Sequence, residues 1–258
     1  SILVREPRQS NREHLKLKDD DLPFCGYDIW NAYEVSCLTE KGKPVTGIAK
    51  IVYPCDNKYI VESKSLKLYF NSFNMTRLGD NSAQARALIE SDAAADLSDL
   101  LETNVMVTVF DPSDIQQQNI KPYFSNDYIT LEDLTDSNSW QFNQYTEEPS
   151  LLTGGEFATS QDYLVRQNYH SSLLKSNCRV THQPDWGDVF IAMKSKKVVK
   201  PINLLKYIVS FRDENHFHEE ICETIYTRMW SIFRPTELAV TCLYARRGGI
   251  DINPTRVS

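Results

Sequence analysis

The amino-acid sequence predicts an α+β protein built from two similar modules. Each half contains three segments rich in β-branched and aromatic residues, which are typical of strands: 30–38, 45–53, 105–110, 173–181, 186–193 and 238–245. Each half also places two segments of helical periodicity between its second and third strand. The shared order of strand, strand, helix, helix, strand favours antiparallel hairpins that pack against paired helices.

The first half begins with a polar and charged segment, residues 1–24, for which we predict an extended arm. Turn-forming residues at 40–44 separate the first two strands and predict a hairpin. A helix is predicted at 62–73, where apolar residues recur at helical spacing. A second helix is predicted at 83–101, which is rich in Ala and Leu and contains neither Pro nor Gly.

The segment between the halves has few signs of regular structure. Residues 111–168 contain several prolines and many Asn, Asp and Ser residues, which are typical of connections, and a short strand is predicted near 128–131. We therefore predict three parts: an N-terminal module at 1–112, a connector at 113–168 and a C-terminal module at 169–258.

The second half contains the longer apolar helix. Helices are predicted at 202–211 and 217–233, and Pro235 ends the second of them. The apolar residues of 217–233 lie along one helical face. After the last predicted strand, Gly248 and Gly249 lead into a final extended segment.

Composition and charge exclude several classes of protein. With 41% hydrophobic and 24% charged residues the chain is expected to be soluble and globular. A net charge of −7 argues against a general nucleic-acid binder. The six cysteines are scattered without a CxxC pair, which favours free thiols in a reducing compartment. No apolar run approaches the roughly 18 residues of a membrane span, and no signal-peptide core is present, so we expect a cytoplasmic protein without membrane partners.

A thiol and a carboxyl group lie close together at the start of the second half. Cys178 is a candidate nucleophile, because a thiolate attacks well and also leaves well. The alternative is a strand cysteine that packs as a small hydrophobic residue. Asp185 is a candidate proton donor beside Trp186, and the alternative is a turn aspartate that accepts from local N–H groups.

A second pair of candidate residues opens the last long helix. His218 is placed to transfer protons, and Glu219 is suited to accept two adjacent N–H donors such as those of a guanine edge. The alternative for Glu219 is a carboxylate that simply stabilises the helix N-terminus.

Two cationic segments are candidate anion sites. Lys64 and Lys67 lie three residues apart on one helical face. They are candidates for binding phosphate groups, and the alternative is that they form a solvated face without a ligand. Arg247 and Gly248 lie in an Arg-Arg-Gly-Gly run whose glycines let the backbone approach a ligand. Neither a Rossmann GxGxxG nor a P-loop motif is present.

Five of these motifs resemble a known enzyme family. The segments are 62–69, 176–178, 182–187, 217–219 and 246–251. In this order they resemble the NADPH-dependent nitrile reductases that reduce 7-cyano-7-deazaguanine, in their two-module form. The resemblance extends from about residue 22 to the C-terminus but is weak in the connector and at 78–100. Cys222 lies three residues after Glu219 instead of two, so we do not expect a protective disulfide there.

The resemblance implies a fold, a reaction and residue roles. The implied fold is a tandem of tunnelling-fold modules, each ββααββ, whose sheets assemble into a barrel in a homodimer. The implied reaction uses two NADPH to convert the nitrile into an aminomethyl group, a precursor of queuosine in tRNA, without direct nucleic-acid binding. The resemblance implies that Cys178 is the nucleophile, that Asp185 is the acid, and that His218 transfers the later protons and contacts the substrate. It implies that Glu219, Glu62 and Ser63 also bind the substrate. The residues implied to bind NADPH are Ser63, Lys64, Lys67, Arg247 and Gly248.

Two alternatives remain open on the sequence alone. The tunnelling fold also occurs in zinc-dependent purine and pterin enzymes, and a thiol with three histidines is available as metal ligands: Cys178, His182, His216 and His218. The other alternative is a module that binds the deazapurine without forming an adduct. The nitrile reductase prediction includes no metal.

Overall fold

The structure is a computed structural model that describes residues 2–116, 127–134, 137–154 and 160–258. The described residues separate into two compact units. Those within 1–22, 26–123 and 246–252 form unit 1, and those within 23–25, 124–245 and 253–258 form unit 2. Residues 246–252, which the sequence analysis assigned to the second module, therefore group with the first half of the chain.

Unit 1 contains the first five strands and first three α-helices. Their bounds are β1 Arg5–Pro7, α1 Gln9–Arg12, β2 Cys25–Leu38, β3 Pro44–Pro54, β4 Tyr59–Val61, α2 Ser63–Ser72, α3 Ser82–Leu101 and β5 Met106–Phe110. β3 pairs in antiparallel register with β2 on one side and β5 on the other, while β1 pairs with β4. The predicted hairpin, helix pair and following strand are confirmed.

Helix α3 of unit 1 has a cap and a buried face that its local sequence explains. Asn81 caps α3 by accepting a hydrogen bond of 3.0 Å from the Gln84 N–H. One face of α3 is fully buried, at positions four residues apart: Ala85, Ile89, Ala93, Leu97 and Leu101. This face packs with the apolar side chains of β2, β3 and β5 into one core.

The prediction of an extended arm at 1–24 is wrong, because this segment is folded against unit 1. The buried guanidinium of Arg8 hydrogen-bonds to Asp28 and to Asn57 Oδ1. Arg12 is also buried and donates to the Cys55 carbonyl at 2.7 Å and to Asp19 Oδ1 at 2.7 Å. A charged composition indicated exposure, but here the charges are paired inside the unit.

Unit 2 contains the remaining elements. Their bounds are β6 Ile129–Thr130, β7 Ser160–Cys178, β8 Pro184–Lys197, α4 Pro201–Ser210, β9 Asn215–His216, α5 His218–Phe233, β10 Glu237–Tyr244 and β11 Ile250–Val257, the last of which contributes its residues from 253 onward. The strand order is β11-β10-β8-β7-β6, and the short β9 pairs in parallel with the end of β7. The mixed α+β class and both predicted helices are confirmed.

β7 is longer than the sequence indicated. It begins at Ser160, inside the predicted connector, and ends at Cys178, before the predicted end at 181. Its first part is polar, so composition argued against a strand. The antiparallel partner β8 supplies the backbone hydrogen bonds that hold this polar stretch extended. Among the described residues, no helix has both the length and the apolar character that crossing a bilayer requires.

We expect the replacement Arg8→Ala to destabilise unit 1 strongly. It removes the cation that faces the fully buried carboxylate of Asp28, and breaking one side of such a pair costs about 3–5 kcal/mol of unfolding free energy. Urea unfolding followed by circular dichroism measures the change. The exposed Lys18 of the same segment provides the control, and Lys18→Ala should change the free energy by less than about 0.5 kcal/mol. If both replacements changed the free energy of unfolding equally, the result would support the predicted extended arm instead of a buried Arg8.

Candidate active site

Cys178 lies at the last position of β7, where three backbone segments meet. Its N–H donates to the Gln183 carbonyl at 2.8 Å, and its carbonyl accepts from the His182 N–H at 2.9 Å. On the other side Cys178 is the parallel partner of His216 in β9. These bonds fix the backbone on both sides of the thiol, while the side chain stays only partly buried.

Strand register places Asp185 on the same sheet face as Cys178. Side chains alternate along a strand, so Ser176 and Cys178 project to one face of β7. Asp185 is the antiparallel partner of Ser176 and therefore projects to that face as well. Asp185 is 6% exposed, so the carboxyl group is held away from bulk water near a half-buried thiol.

The first turn of α5 supplies the other two candidate residues. β9 ends at His216, two residues before α5 begins at His218, so the segment that pairs with Cys178 leads directly into this helix. His218 Nε2 lies 3.6 Å from Asp185 Oδ1. Glu219 is 4% exposed. The structure thus brings Asp185, His218 and Glu219 to the end of the sheet where Cys178 lies.

Tyr244 is a residue of this region that the sequence analysis missed. Its ring lies against His218, with ring centroids 4.0 Å apart. Tyr244 is also the antiparallel partner of Gly187, and a Cβ atom at Gly187 would lie 3.1 Å from the tyrosine ring. The glycine therefore leaves room for the phenol beside the candidate site. A tyrosine at a strand end has no sequence signal that separates it from a core residue.

A charged network supports the backbone around Cys178. Glu220 accepts hydrogen bonds of 3.1 and 3.0 Å from Arg179, and its carboxylate lies 2.8 Å from Nδ1 of His216. The Nε2 atom of His216 lies 2.9 Å from Glu214. Burial lowers the pKa of His216, but the hydrogen bonds and charges of Glu220 and Glu214 outweigh burial and raise this pKa above its ordinary value. Arg179 therefore pairs with Glu220, and its charge does not act on the Cys178 thiol alone.

His182 belongs to the turn between β7 and β8. It has a left-handed backbone, with φ of 54°, and its Nδ1 lies 2.8 Å from Asn215 Oδ1. Within the described ranges, no group of three or more His, Cys, Asp and Glu side chains is arranged to hold a metal ion.

In unit 1, Glu62 caps α2, the helix that carries the Glu-Ser-Lys motif. Its carboxylate accepts hydrogen bonds from the N–H groups of Lys64 at 3.0 Å and Ser65 at 2.7 Å. Ser63 is the first residue of the helix. Lys64 is exposed, and its Nζ lies 3.9 Å from Glu62 Oε1.

A cavity in unit 1 brings Lys67 together with Gly248. It is lined by Ala32, Glu34, Lys67, Phe70, Asn71, Gly248, Gly249 and Ile250. Gly248 has φ of +58°, and a Cβ atom there would lie 2.9 Å from Lys67 Nζ. The sequence analysis did not identify Glu34, whose carboxylate would lie 2.6 Å from a Cβ atom at Gly249. Arg247 adjoins this cavity in sequence, and its N–H donates to the Ile250 carbonyl at 2.9 Å.

Comparisons with known families agree with the resemblance seen in the sequence. Residues 1–109 match the family described as "Nitrile reductase, 7-cyano-7-deazaguanine-reductase N-term". Residues 184–258 match the family described as "QueF-like protein". A solved structure, the apo form of the archaeosine synthase QueF-Like, covers 39% of this chain and 95% of its own at 20% identity with a TM-score of 0.33, a similarity too low to bear on the fold.

Several full-length relatives carry the name NADPH-dependent 7-cyano-7-deazaguanine reductase. The relative from Azoarcus sp. (strain BH72) is 40% identical over 257 residues, which is 100% of this chain and 85% of the relative. The relative from Legionella pneumophila (strain Lens) is 42% identical over 97% of this chain and 81% of its own. The relative from Acidovorax ebreus (strain TPSY) is 40% identical over 100% of this chain and 88% of its own. The chain therefore belongs to the family of NADPH-dependent 7-cyano-7-deazaguanine reductases.

Proposed function

We propose that this chain reduces the nitrile of 7-cyano-7-deazaguanine to the primary amine with two molecules of NADPH, in the biosynthesis of queuosine for tRNA. The observation that carries the proposal is the arrangement in unit 2, where Asp185, His218 and Glu219 meet at the end of β7 that carries Cys178. Family membership supports the same reaction.

The first step is covalent addition of the cysteine. The nitrile carbon is a weak electrophile until its nitrogen receives a proton. The Cys178 thiolate forms the carbon–sulfur bond while Asp185 gives a proton to the nitrogen, which takes up one electron pair of the triple bond. The product is a thioimide. A carboxyl group on the same sheet face as the thiol suits this pairing of nucleophile and acid.

The later steps need a second proton and the departure of sulfur. NADPH, when bound, supplies one hydride to the thioimide carbon and, from a second molecule, one hydride to the imine carbon. We assign the second proton to His218, which lies 3.6 Å from Asp185 and can therefore act in the same place. Protonation of nitrogen lets Cys178 leave as a thiolate and gives the protonated imine, so the attacking thiolate is regenerated.

The substrate is held by hydrogen bonds to its pyrimidine edge. Glu219 is buried and carries two carboxylate oxygens, which match the ring N–H and the amino group of a guanine-like edge. We also assign Glu62 and Ser63 to substrate binding. In the free chain the Glu62 carboxylate caps α2, so this second role requires the motif to serve both helix and ligand.

The cavity of unit 1 fits the phosphates of NADPH. Lys67 supplies a cation, and Gly248 leaves room for it, because a Cβ atom there would lie 2.9 Å from Lys67 Nζ. We assign Ser63, Lys64, Lys67, Arg247 and Gly248 to this site. The carboxylate of Glu34 in the same cavity suits a ribose hydroxyl better than a phosphate.

We further propose that the modules adopt the tunnelling fold and assemble as a homodimer. Unit 2 supports this assignment, because β7 and β8 precede the helices α4 and α5, and β10 and β11 follow them. In the described part of unit 1 only β5 follows the helix pair directly, and residues 246–252 supply a further backbone bond, from the Tyr33 N–H to the Gly249 carbonyl at 2.8 Å.

Cys178→Ala should abolish adduct formation. Incubation with 7-cyano-7-deazaguanine alone should raise the intact mass of the unaltered protein by one substrate, because addition precedes any hydride transfer. The variant should keep its fold and show no mass increase. Cys25 is an exposed free thiol, so Cys25→Ala is the matched control and should retain the adduct. An adduct on the Cys178→Ala protein would exclude this residue as the nucleophile.

Asp185→Asn should slow adduct formation much more than it weakens binding. The amide keeps the size of the side chain but cannot protonate nitrogen, and loss of a general acid costs about 10²–10⁴ in rate. Rapid-quench mass spectrometry gives the rate, and calorimetry gives the affinity. Asp188→Asn, on the same strand at a more exposed carboxylate, should change neither by more than about threefold. Equal losses of rate and affinity in Asp185→Asn would argue against a proton donor.

The double replacement of Lys64 and Lys67 by Ala should act on the cofactor. Hydrogen bonds to charged groups contribute about 1.5–3 kcal/mol, so the KM for NADPH should rise by a factor of about ten or more. Adduct formation with the nitrile alone should be unchanged, because that step needs no NADPH. The exposed Lys41 is the control, and its replacement by Ala should leave the KM unaltered. If the double variant kept its KM for NADPH, both lysines would be residues of a solvated helix face and would not bind the cofactor.

A further inference from the structure

Three hydroxyl groups are buried in unit 2 without a hydrogen-bond partner among the described residues: those of Ser176, Thr227 and Tyr244. As whole residues, Ser176 and Tyr244 are almost completely buried, at 1% and 2% exposed. Buried hydroxyls in proteins are nearly always paired, because an unpaired one loses its bonds to water and gains nothing in return. Each of these groups therefore needs an acceptor or donor that the described part of the free chain does not supply.

The hydroxyls of Ser176 and Tyr244 lie on the sheet face that carries the candidate active site. Ser176 is the cross-strand partner of Asp185 and is two residues from Cys178. Tyr244 is the partner of Gly187, which is two residues from Asp185, so alternation along the strands places all of these side chains on one face. Two unpaired hydroxyls thus flank one candidate catalytic carboxyl group.

The chemistry of the two groups matches that of hydrogen-bond donors. Burial, followed by the neighbouring thiols of Cys242 and Cys222 and the carboxylates of Asp185 and Glu219, raises the pKa of Tyr244 well above its ordinary value. The phenol therefore keeps its proton at neutral pH. A serine hydroxyl also donates one hydrogen bond.

We propose that the hydroxyl groups of Tyr244 and Ser176 are substrate-binding groups that donate hydrogen bonds to the acceptor atoms of the bound deazapurine. The inference rests on the proposed function and extends it. Glu219 accepts hydrogen bonds and therefore serves only the N–H groups of the substrate. Asp185 already serves the nitrile nitrogen, so the oxo oxygen and the ring nitrogen need donors, and the two hydroxyls supply one each beside Asp185.

Tyr244→Phe and Ser176→Ala test this proposal in a background that cannot form the adduct. In the Cys178→Ala protein, calorimetry measures the noncovalent affinity for 7-cyano-7-deazaguanine. Each additional replacement should weaken this affinity by about tenfold, which corresponds to about 1.4 kcal/mol. Phe keeps the ring contact with His218, so the loss reports the hydroxyl alone.

Thermal unfolding of the ligand-free proteins provides the second measurement. Because neither hydroxyl has a partner among the described residues of the ligand-free protein, Tyr244→Phe and Ser176→Ala should leave Tm unchanged or raise it. The matched controls are buried hydroxyls of the same unit that do have partners. Tyr226 donates to the Pro23 carbonyl at 3.0 Å, and Ser195 donates to the Phe233 carbonyl at 2.9 Å. Tyr226→Phe and Ser195→Ala should lower Tm by about 2–4 °C and leave the affinity unaltered.

The outcomes separate this inference from the proposed function. Unaltered affinity in the Tyr244 and Ser176 variants, with tight binding by the Cys178→Ala parent, would overturn the inference and leave the function standing. A loss of Tm equal to that of the controls would also overturn it, because the hydroxyls would then have partners within the free chain. If the parent protein bound no 7-cyano-7-deazaguanine and the unaltered protein formed no adduct, the proposed function itself would fail.

Discussion

The antiparallel register between β7 and β8 is the constraint on which the candidate site depends. It pairs Ser176 with Asp185 and Leu174 with Gly187, and so it selects the side chains that share a face with Cys178. A shift by one residue would turn Asp185 to the opposite face, because side chains alternate along a strand. The turn at 179–183 holds this register through two hydrogen bonds to the backbone of Cys178. The proposed chemistry of unit 2 therefore depends on strand pairing as much as on the candidate residues.

The parallel pairing of β9 with β7 links this register to the helix. It fixes the segment that leads into α5, and α5 then presents His218 and Glu219 in its first turn. The network of Arg179, Glu220 and His216 joins the turn to the same helix. Sheet and helix thus meet through charged contacts that do not take part in the proposed chemistry, and these contacts restrict the freedom of the residues that do.

Local patterns predicted much of this arrangement. Hairpins and helix periodicity depend on short stretches of sequence, and those predictions identified the right elements. The motifs around Cys178, His218 and Gly248 are also local, and their predicted roles stay predictions. Properties that depend on distant partners were missed. Arg8 has a charge that composition places at the surface, but the partner that buries it lies in β2. The polar start of β7 is held by β8, and residues 246–252 group with unit 1 although they lie near the C-terminus. Glu34 and Tyr244 gain their significance only from glycines that lie opposite them in space.

The burial of the cysteines has a consequence for chemical labelling. All six fall within the described residues as free thiols, and four are fully shielded: Cys37, Cys55, Cys222 and Cys242. Cys25 is exposed and Cys178 is partly accessible. After Cys25 is replaced, a small alkylating reagent would meet one accessible thiol in the folded protein, at the end of β7. The fold therefore provides a single attachment point for a spectroscopic probe, placed where a change in the strand end or in the start of α5 would alter its signal.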